Sequence, residues 1–345
     1  MLTKETLYSM LIYAVTFFLS VVCVYKAERK KNFRPIWQLL AIIIPSITAA
    51  WRQCGVDYQA YEGIYNHIHQ GNEYPIEKFW ILLNRIAPTY QWLLFLSAFL
   101  FLWAIYFAIC KLVKNDQWLS WFIILVVCYP AFYNVMRQMI AVAFAFLAFA
   151  FLCEKKNLFF VLNILIATLF HKSAILMLVA FPVYFWVIKR FKDIEILILG
   201  ICLLCPLAIK LLPIVLGYFG IYGSYFNKEI NGFSFGFLLY SLPPLYFYYV
   251  KRKSIQRTPI LKYSLAMYLL VIPFQVLGMS IAYADRIMLY FQIMIAVFVP
   301  HTIRQYDILG KKHSLRTLYV IWFIIHYLVL VVLLNGNATY PYTIF

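Results

Sequence analysis

An all-α, polytopic integral membrane protein is the fold class that the sequence predicts. Three observations predict it: the apolar content, the lengths of the apolar runs, and the basic residues between them. Of 345 residues, 65% are hydrophobic and only 12% charged, with a mean hydropathy of +0.81. That is more apolar surface than a water-soluble fold can hide. A helix needs roughly 17–25 apolar residues to cross a bilayer. About twelve runs approach that length, at 7–25, 35–50, 91–113, 118–133, 137–153, 157–171, 173–188, 194–213, 233–250, 260–283, 286–303 and 317–334.

The first run follows Lys4, and no small-residue cleavage site ends it as in a signal peptide. It runs instead into KAERKKNFR, a stop-transfer pattern whose Lys26, Arg29, Lys30, Lys31 and Arg34 belong on the cytoplasmic side. The N-terminus is then outside, and the second run returns to the outer face. Alternation from there puts Lys111 and Lys114, Lys155 and Lys156, Lys189 to Lys192, Lys251 to Lys262, and Arg304 to Arg316 inside. Most of the 30 Lys and Arg residues thus face the cytoplasm, and both termini lie outside. The net charge of +17 is largely topology and requires no nucleic-acid partner.

Between the second and third runs lies an outer loop, 51–91, long enough to be functional. In it YEGIYNHI can form a short helix, and IEKFWILLNRI places Ile76, Phe79, Trp80, Leu83 and Ile86 at helical spacing, with Glu77, Lys78 and Arg85 elsewhere. That pattern predicts an amphipathic interfacial helix lying along the outer membrane surface. No repeat or low-complexity linker divides the chain, so 1–345 reads as a single transmembrane domain. Cys54 is the one cysteine outside the spans, and Cys202-x-x-Cys205 sits within one, which favours helix packing over redox chemistry.

Three arginines break the charge bias. Arg52, Arg137 and Arg286 each stand at the outer end of a span. One such residue snorkels to the headgroups; three at one level point to a polar cavity, where ionisable groups in membranes usually gather. In YNVMRQMIA, Tyr133 and Arg137 are four apart on one helix face, and in DRIMLYFQ, Arg286 and Tyr290 repeat the spacing. His171 and Lys172, in ATLFHKSAIL, reach the same level. Asp57 follows Arg52 by five residues with Tyr58 and Tyr61 beside it, and is either a salt-bridge partner or a base. His67-x-His69 has no acid or cysteine at ligand spacing, so no metal is expected.

Guanidinium groups bind phosphate oxygens bidentately and stay charged, and tyrosines offer flat amphipathic faces to sugar rings. A glycan on a polyprenyl pyrophosphate satisfies both. There is no Walker A loop and no Gly-rich dinucleotide turn, so no nucleotide cofactor is expected.

On these residues the sequence resembles the EpsG-like branch of the Wzy-type polysaccharide polymerases. The matching positions are Arg52, Gly55, Asp57 and Tyr58; Arg137 and Gln138; His171 and Ser173; Arg286, Tyr290 and Phe291; and Pro341 and Tyr342. The resemblance implies a GT-C-like glycosyltransferase architecture in the bacterial cytoplasmic membrane. It implies outer-face joining of undecaprenyl-pyrophosphate-linked repeat units into O-antigen, capsule or exopolysaccharide, without metal or cofactor. Asp57 or His171 would act as base. Arg52, Tyr58, Tyr61, Arg137, Gln138, Arg286 and Tyr290 would hold pyrophosphate and glycan. Membrane lipids surround the chain, and a flippase and a chain-length regulator are implied as pathway partners. A flippase or exporter of the same unit, and a membrane O-acyltransferase with His171 as base, are the alternatives.

Overall fold

The computed structural model describes residues 3–30, 32–190, 200, 235–251, 258–278, 284–307 and 312–343. Among them there is no strand, and the helices are as follows. α1 is Lys4–Arg29, α2 Arg34–Ala50, α3 Tyr58–His69, α4 Lys78–Ile86, α5 Tyr90–Leu112, α6 Gln117–Ile123, α7 Tyr129–Phe132, α8 Met136–Cys153, α9 Asn157–Phe170 and α10 Ala180–Arg190. α11 is Phe235–Lys251, α12 Pro259–Leu269, α13 Val271–Gly278, α14 Ala284–Gln292, α15 Ile295–Asp307 and α16 Lys312–Tyr327. Among the described residues six helices are long and apolar enough to cross a membrane, and the chain is a polytopic membrane protein. The number is below the about twelve spans predicted because Arg34–Ala50, Gln117–Phe132, Asn157–Phe170 and Lys172–Trp186 are shorter apolar helices. The predicted run at 194–213, with Cys202 and Cys205, lies outside the described residues.

Two compact units are present, Met1–Leu178 with Val299–Phe345, and Val179–Phe298. In the first, α8 is the hub, packed against α5 and α9. Its run of Ala141, Ala143, Ala145, Ala148 and Ala150 is fully buried, and small side chains let helix backbones approach closely where no water drives them together.

Pro45 sits inside α2. Its missing N–H leaves the carbonyl four residues earlier without a helical donor. Ser20 of α1 supplies one, donating to the Ala41 carbonyl at 2.6 Å, while the Trp121 indole donates to Ser20 at 2.7 Å. Tyr129 in turn donates to the Pro45 carbonyl at 2.6 Å. The proline is thereby absorbed into a buried polar chain linking α1, α2 and the α6–α7 region, as membrane helices require. Between α6 and α7, Ile124–Cys128 is a π-helical turn leading into Pro130.

Opposite ends of α1 define two ends of this unit. At one, Ser9 accepts from the Tyr342 N–H at 2.8 Å, and Tyr13 donates to the Thr339 carbonyl at 3.3 Å. The loop 51–57, the start of α8 and the C-terminal segment meet there. At the other end Glu28 accepts from the Asp116 N–H at 2.7 Å, Arg316 pairs with Asp116 at 2.6 Å, and Lys111 and Lys156 both pair with Glu154 at 2.9 Å. His301 bonds the Leu112 carbonyl there at 2.9 Å. Lys111, Lys156 and Arg316, predicted from the sequence to share one membrane face, therefore share one end of this unit.

In the second unit Tyr263 of α12 donates to the Ala180 carbonyl at 3.2 Å, and its ring meets Tyr184 of α10 edge-on at 5.0 Å. α13 packs on α14, with Phe274 stacked on Phe291 at 5.3 Å.

Candidate functional site

Two arginines of the first unit occupy its loop end in different ways. Arg52 is fully buried. Its Nη1 donates to the carbonyls of Cys54 at 2.8 Å and Tyr133 at 3.1 Å, its Nη2 to the Met136 sulfur at 3.3 Å, and its guanidinium lies 3.9 Å over the Tyr133 ring. Gly55 adopts φ +111°, and a Cβ there would stand 2.8 Å from Arg52 Nη1. Both the backbone conformation and the close approach require glycine.

The same corner is tied to the end of the chain. Asn134 accepts from the Val56 N–H at 2.8 Å and donates to the Asn337 carbonyl at 2.9 Å. Gly55 N–H bonds Ala338 at 2.9 Å, and Gln53 N–H bonds Thr343 at 2.8 Å. Tyr342 donates to the Thr48 carbonyl at 2.7 Å. Arg52 is thus the central pin of a clamp joining loop, α7–α8 turn and C-terminal segment.

That turn corrects one expectation. Tyr133 and Arg137 do not share a helix face, because α7 ends at Phe132 and α8 begins only at Met136. Tyr133 therefore serves Arg52, and Arg137 stands on the first turn of α8.

Arg137 is only half-buried, with 25% of its side chain exposed. Its Nη1 forms a short ion pair with Glu77 Oε2, and the guanidinium also bonds the Tyr61 hydroxyl. Among the described residues its buried Nε donates to nothing. The second oxygen of Glu77 accepts from the Lys172 N–H at 3.4 Å. Glu77 therefore joins α8 to the turn that carries His171.

His171 ends α9 in extended conformation. Its Nδ1 lies 2.7 Å from the Ser173 hydroxyl and accepts from the Ser173 N–H at 3.4 Å. A backbone N–H can only donate, so in the neutral ring Nδ1 is the acceptor and Nε2 carries the proton. Asp57 is half-buried at the N-cap of α3, and its side chain does not cap the helix. It is close enough to Tyr61 to oppose that phenol's ionisation.

Tyr58 is buried against Tyr90 at 5.2 Å, its carbonyl accepting from the Tyr90 hydroxyl at 2.9 Å. Tyr61 packs on Trp80 at 5.4 Å. Burial pushes both phenols up, Tyr58 to about 12, so both remain protonated donors at physiological pH. Gln138 is buried beside Arg137. Asp57, Tyr61, Glu77, Arg137 and the His171–Ser173 turn are thus linked through Tyr61, Arg137 and Glu77. In the second unit, Arg286 is half-buried on α14, with Tyr290 and Phe291 fully buried on the same helix.

A helix forms where the amphipathic pattern expects one, as α4, two residues later than the pattern begins, and it packs inward. Trp80 and Leu83 are buried and Phe79 meets Phe170 of α9 at 5.6 Å, while Leu82 and Ile86 are exposed. Packing on α9 rotates the apolar stripe so that Ile86 leaves the buried face. His67 bonds the Glu73 carbonyl at 3.3 Å, His69 bonds Tyr65, and no metal-binding cluster occurs among the described residues.

Sequence reasoning missed Glu77 and Asn134. Glu77 had a signal: it is one of 13 acids in the chain and borders a helix whose far face is apolar. Asn134 had none, being one polar residue in a turn.

The chain is thus a multi-helix membrane protein with arginines, a histidine and carboxylates gathered at one end of its first unit. The profile of the EpsG family matches residues 35–344, and the chain belongs to this family of Wzy-type polysaccharide polymerases. No curated protein and no solved structure matches it.

Proposed function

We propose that this protein joins undecaprenyl-pyrophosphate-linked repeat units into a surface polysaccharide at the outer face of the bacterial cytoplasmic membrane. The observation that carries the reading is Arg137: a half-buried guanidinium at the loop end, tied to Tyr61 and to Glu77, which also reaches the turn after His171. A hydroxyl of one lipid-linked unit attacks the anomeric carbon at the reducing end of a growing chain. The C–O bond to the carrier breaks, and the lipid pyrophosphate leaves with the bonding pair. Arg137 stabilises the growing negative charge by preorganised hydrogen bonds. This assignment asks nothing of a metal ion.

Asp57 is the base in this scheme. The His171 tautomer favours that choice, since a ring whose Nε2 carries the proton donates there rather than accepts. Arg52 acts through position: with its Nη groups given to two carbonyls and a sulfur, it shapes the loop and leaves the pyrophosphate to Arg137. The tyrosines Tyr58 and Tyr61 and the Gln138 amide line the glycan side.

Orientation follows from the clustering of Lys26, Arg29, Lys111, Lys156 and Arg316 at the end away from the loop, which the positive-inside rule puts in the cytoplasm. The reading keeps the apolar runs of the sequence as about twelve spans, including the interval between His171 and His301. Five predicted runs lie in that interval. We extend the reading to one transmembrane domain of GT-C-like architecture, with a flippase delivering its substrate and a chain-length regulator acting beside it.

The test is the surface-glycan length profile of a strain lacking the gene and of the same strain complemented. A single repeat unit on the carrier, restored to a ladder by the gene, is the expected result. Full-length chains lacking only an acyl group, or no exported units at all, would transfer the assignment to an acyltransferase or a flippase.

A further inference from the structure

The Glu77 carboxylate pairs with the Arg137 guanidinium. Its two oxygens take the Arg137 guanidinium and the Lys172 backbone N–H. Guanidinium forks and backbone amides are also the donors that proteins present to phosphate. Glu77 is 10% exposed at the start of α4. The segment 71–75 just before it is exposed, with Gly71 at φ +84°. Nothing buried anchors the chain immediately ahead of the carboxylate.

We infer that Glu77 is a place-holder for pyrophosphate: in the resting protein it fills the Arg137 seat, and the substrate enters by displacing it. This rests on the reading of Arg137 as the pyrophosphate-binding residue. A carboxylate carries one negative charge and pyrophosphate several, so the substrate wins the guanidinium once present. A lone Arg137 in an empty, half-buried seat would otherwise lack a counter-charge. The exchange also couples substrate arrival to the loop, because Glu77 borders α4 and its release frees the link between α8 and the His171 turn. A carboxylate that merely oriented Arg137 would instead stay paired while pyrophosphate bound.

The two roles differ in sign. A seat that is open only a fraction of the time lowers apparent affinity by that fraction, so removing its occupant tightens binding; for a seat open a tenth of the time the gain is about tenfold. The experiment is calorimetric titration of inorganic pyrophosphate into the full-length chain in lipid nanodiscs, comparing wild type, Glu77→Gln, Glu77→Asp, Arg137→Ala and the Glu77→Gln/Arg137→Ala pair.

Glu77→Gln is expected to bind about tenfold tighter than wild type, and the double variant to lose the gain. Glu77→Asp keeps the charge but withdraws it by one methylene, and falls between; it serves as the second reading should Glu77→Gln unfold. Equal or weaker binding by Glu77→Gln and Glu77→Asp, with binding still abolished by Arg137→Ala, would overturn the place-holder and leave the polymerase reading standing. Pyrophosphate binding unaffected by Arg137→Ala would instead remove the Arg137 seat, and with it both readings.

Discussion

Arg52 and Arg137 stand at the same end of one unit, and both were read from sequence as misplaced positive charges. Their surroundings separate them. Arg52 is fully buried and donates to two backbone carbonyls and a thioether. Arg137 is half-buried and faces a carboxylate and a phenol, the carboxylate also reaching the turn after His171. A guanidinium committed to carbonyls holds the backbone in place; one facing a displaceable anion can exchange it. Partners, more than depth, tell a structural arginine from a functional one.

The largest effect expected is on Arg137. Arg137→Ala should reduce polymer formation about a hundredfold or more while folded protein still reaches the membrane, its melting lowered only by the unpaired Glu77 carboxylate, read by glycan gel and by melting in detergent. Arg137→Lys should also be impaired, since a point charge cannot replace the bidentate fork; wild-type chain lengths would reduce the residue to a charge.

Arg52→Ala should do the reverse. It leaves the buried Cys54 and Tyr133 carbonyls unpaired, at about 1–3 kcal/mol each, so folded protein in the membrane should fall, together with the melting temperature. A stable Arg52→Ala protein without activity would collapse the distinction between the two arginines. Gly55→Ala should follow the same path with a smaller loss, more than about 1 kcal/mol, because the new Cβ meets Arg52 at 2.8 Å in a left-handed backbone.

The smallest effect belongs to the opposite end. Arg316→Ala breaks the pair with Asp116, whose side chains are 19% and 10% exposed. Unchanged glycan length is expected, with a lowered melting temperature because a largely buried carboxylate loses its partner. A strong loss of polymer there would extend the functional region beyond the loop end.

Much of this was legible in the sequence for a physical reason: a bilayer demands long apolar helices and sorts basic residues to one side. Runs such as 91–113 and 137–153 coincide with α5 and α8 within a residue or two. The site was legible only by residue type. Periodicity placed Tyr133 and Arg137 on one face because nothing local marks the break at Asn134–Val135, which is held by contacts from Asn337 far along the chain. Arg52 read as a ligand because its true partners are backbone carbonyls, which leave no mark in a sequence. Glu77 read as the polar side of a surface helix, and only the tertiary approach of α8 makes it the partner of Arg137.

The account is tested most directly by incubating the purified chain with undecaprenyl-pyrophosphate-linked repeat units isolated from the deletion strain, and following glycan length and free carrier together. The expected result is a ladder with one undecaprenyl pyrophosphate released for each new linkage, lost in Arg137→Ala. A ladder of equal length from Arg137→Ala, or no lengthening and no release by a folded wild-type protein, would contradict it.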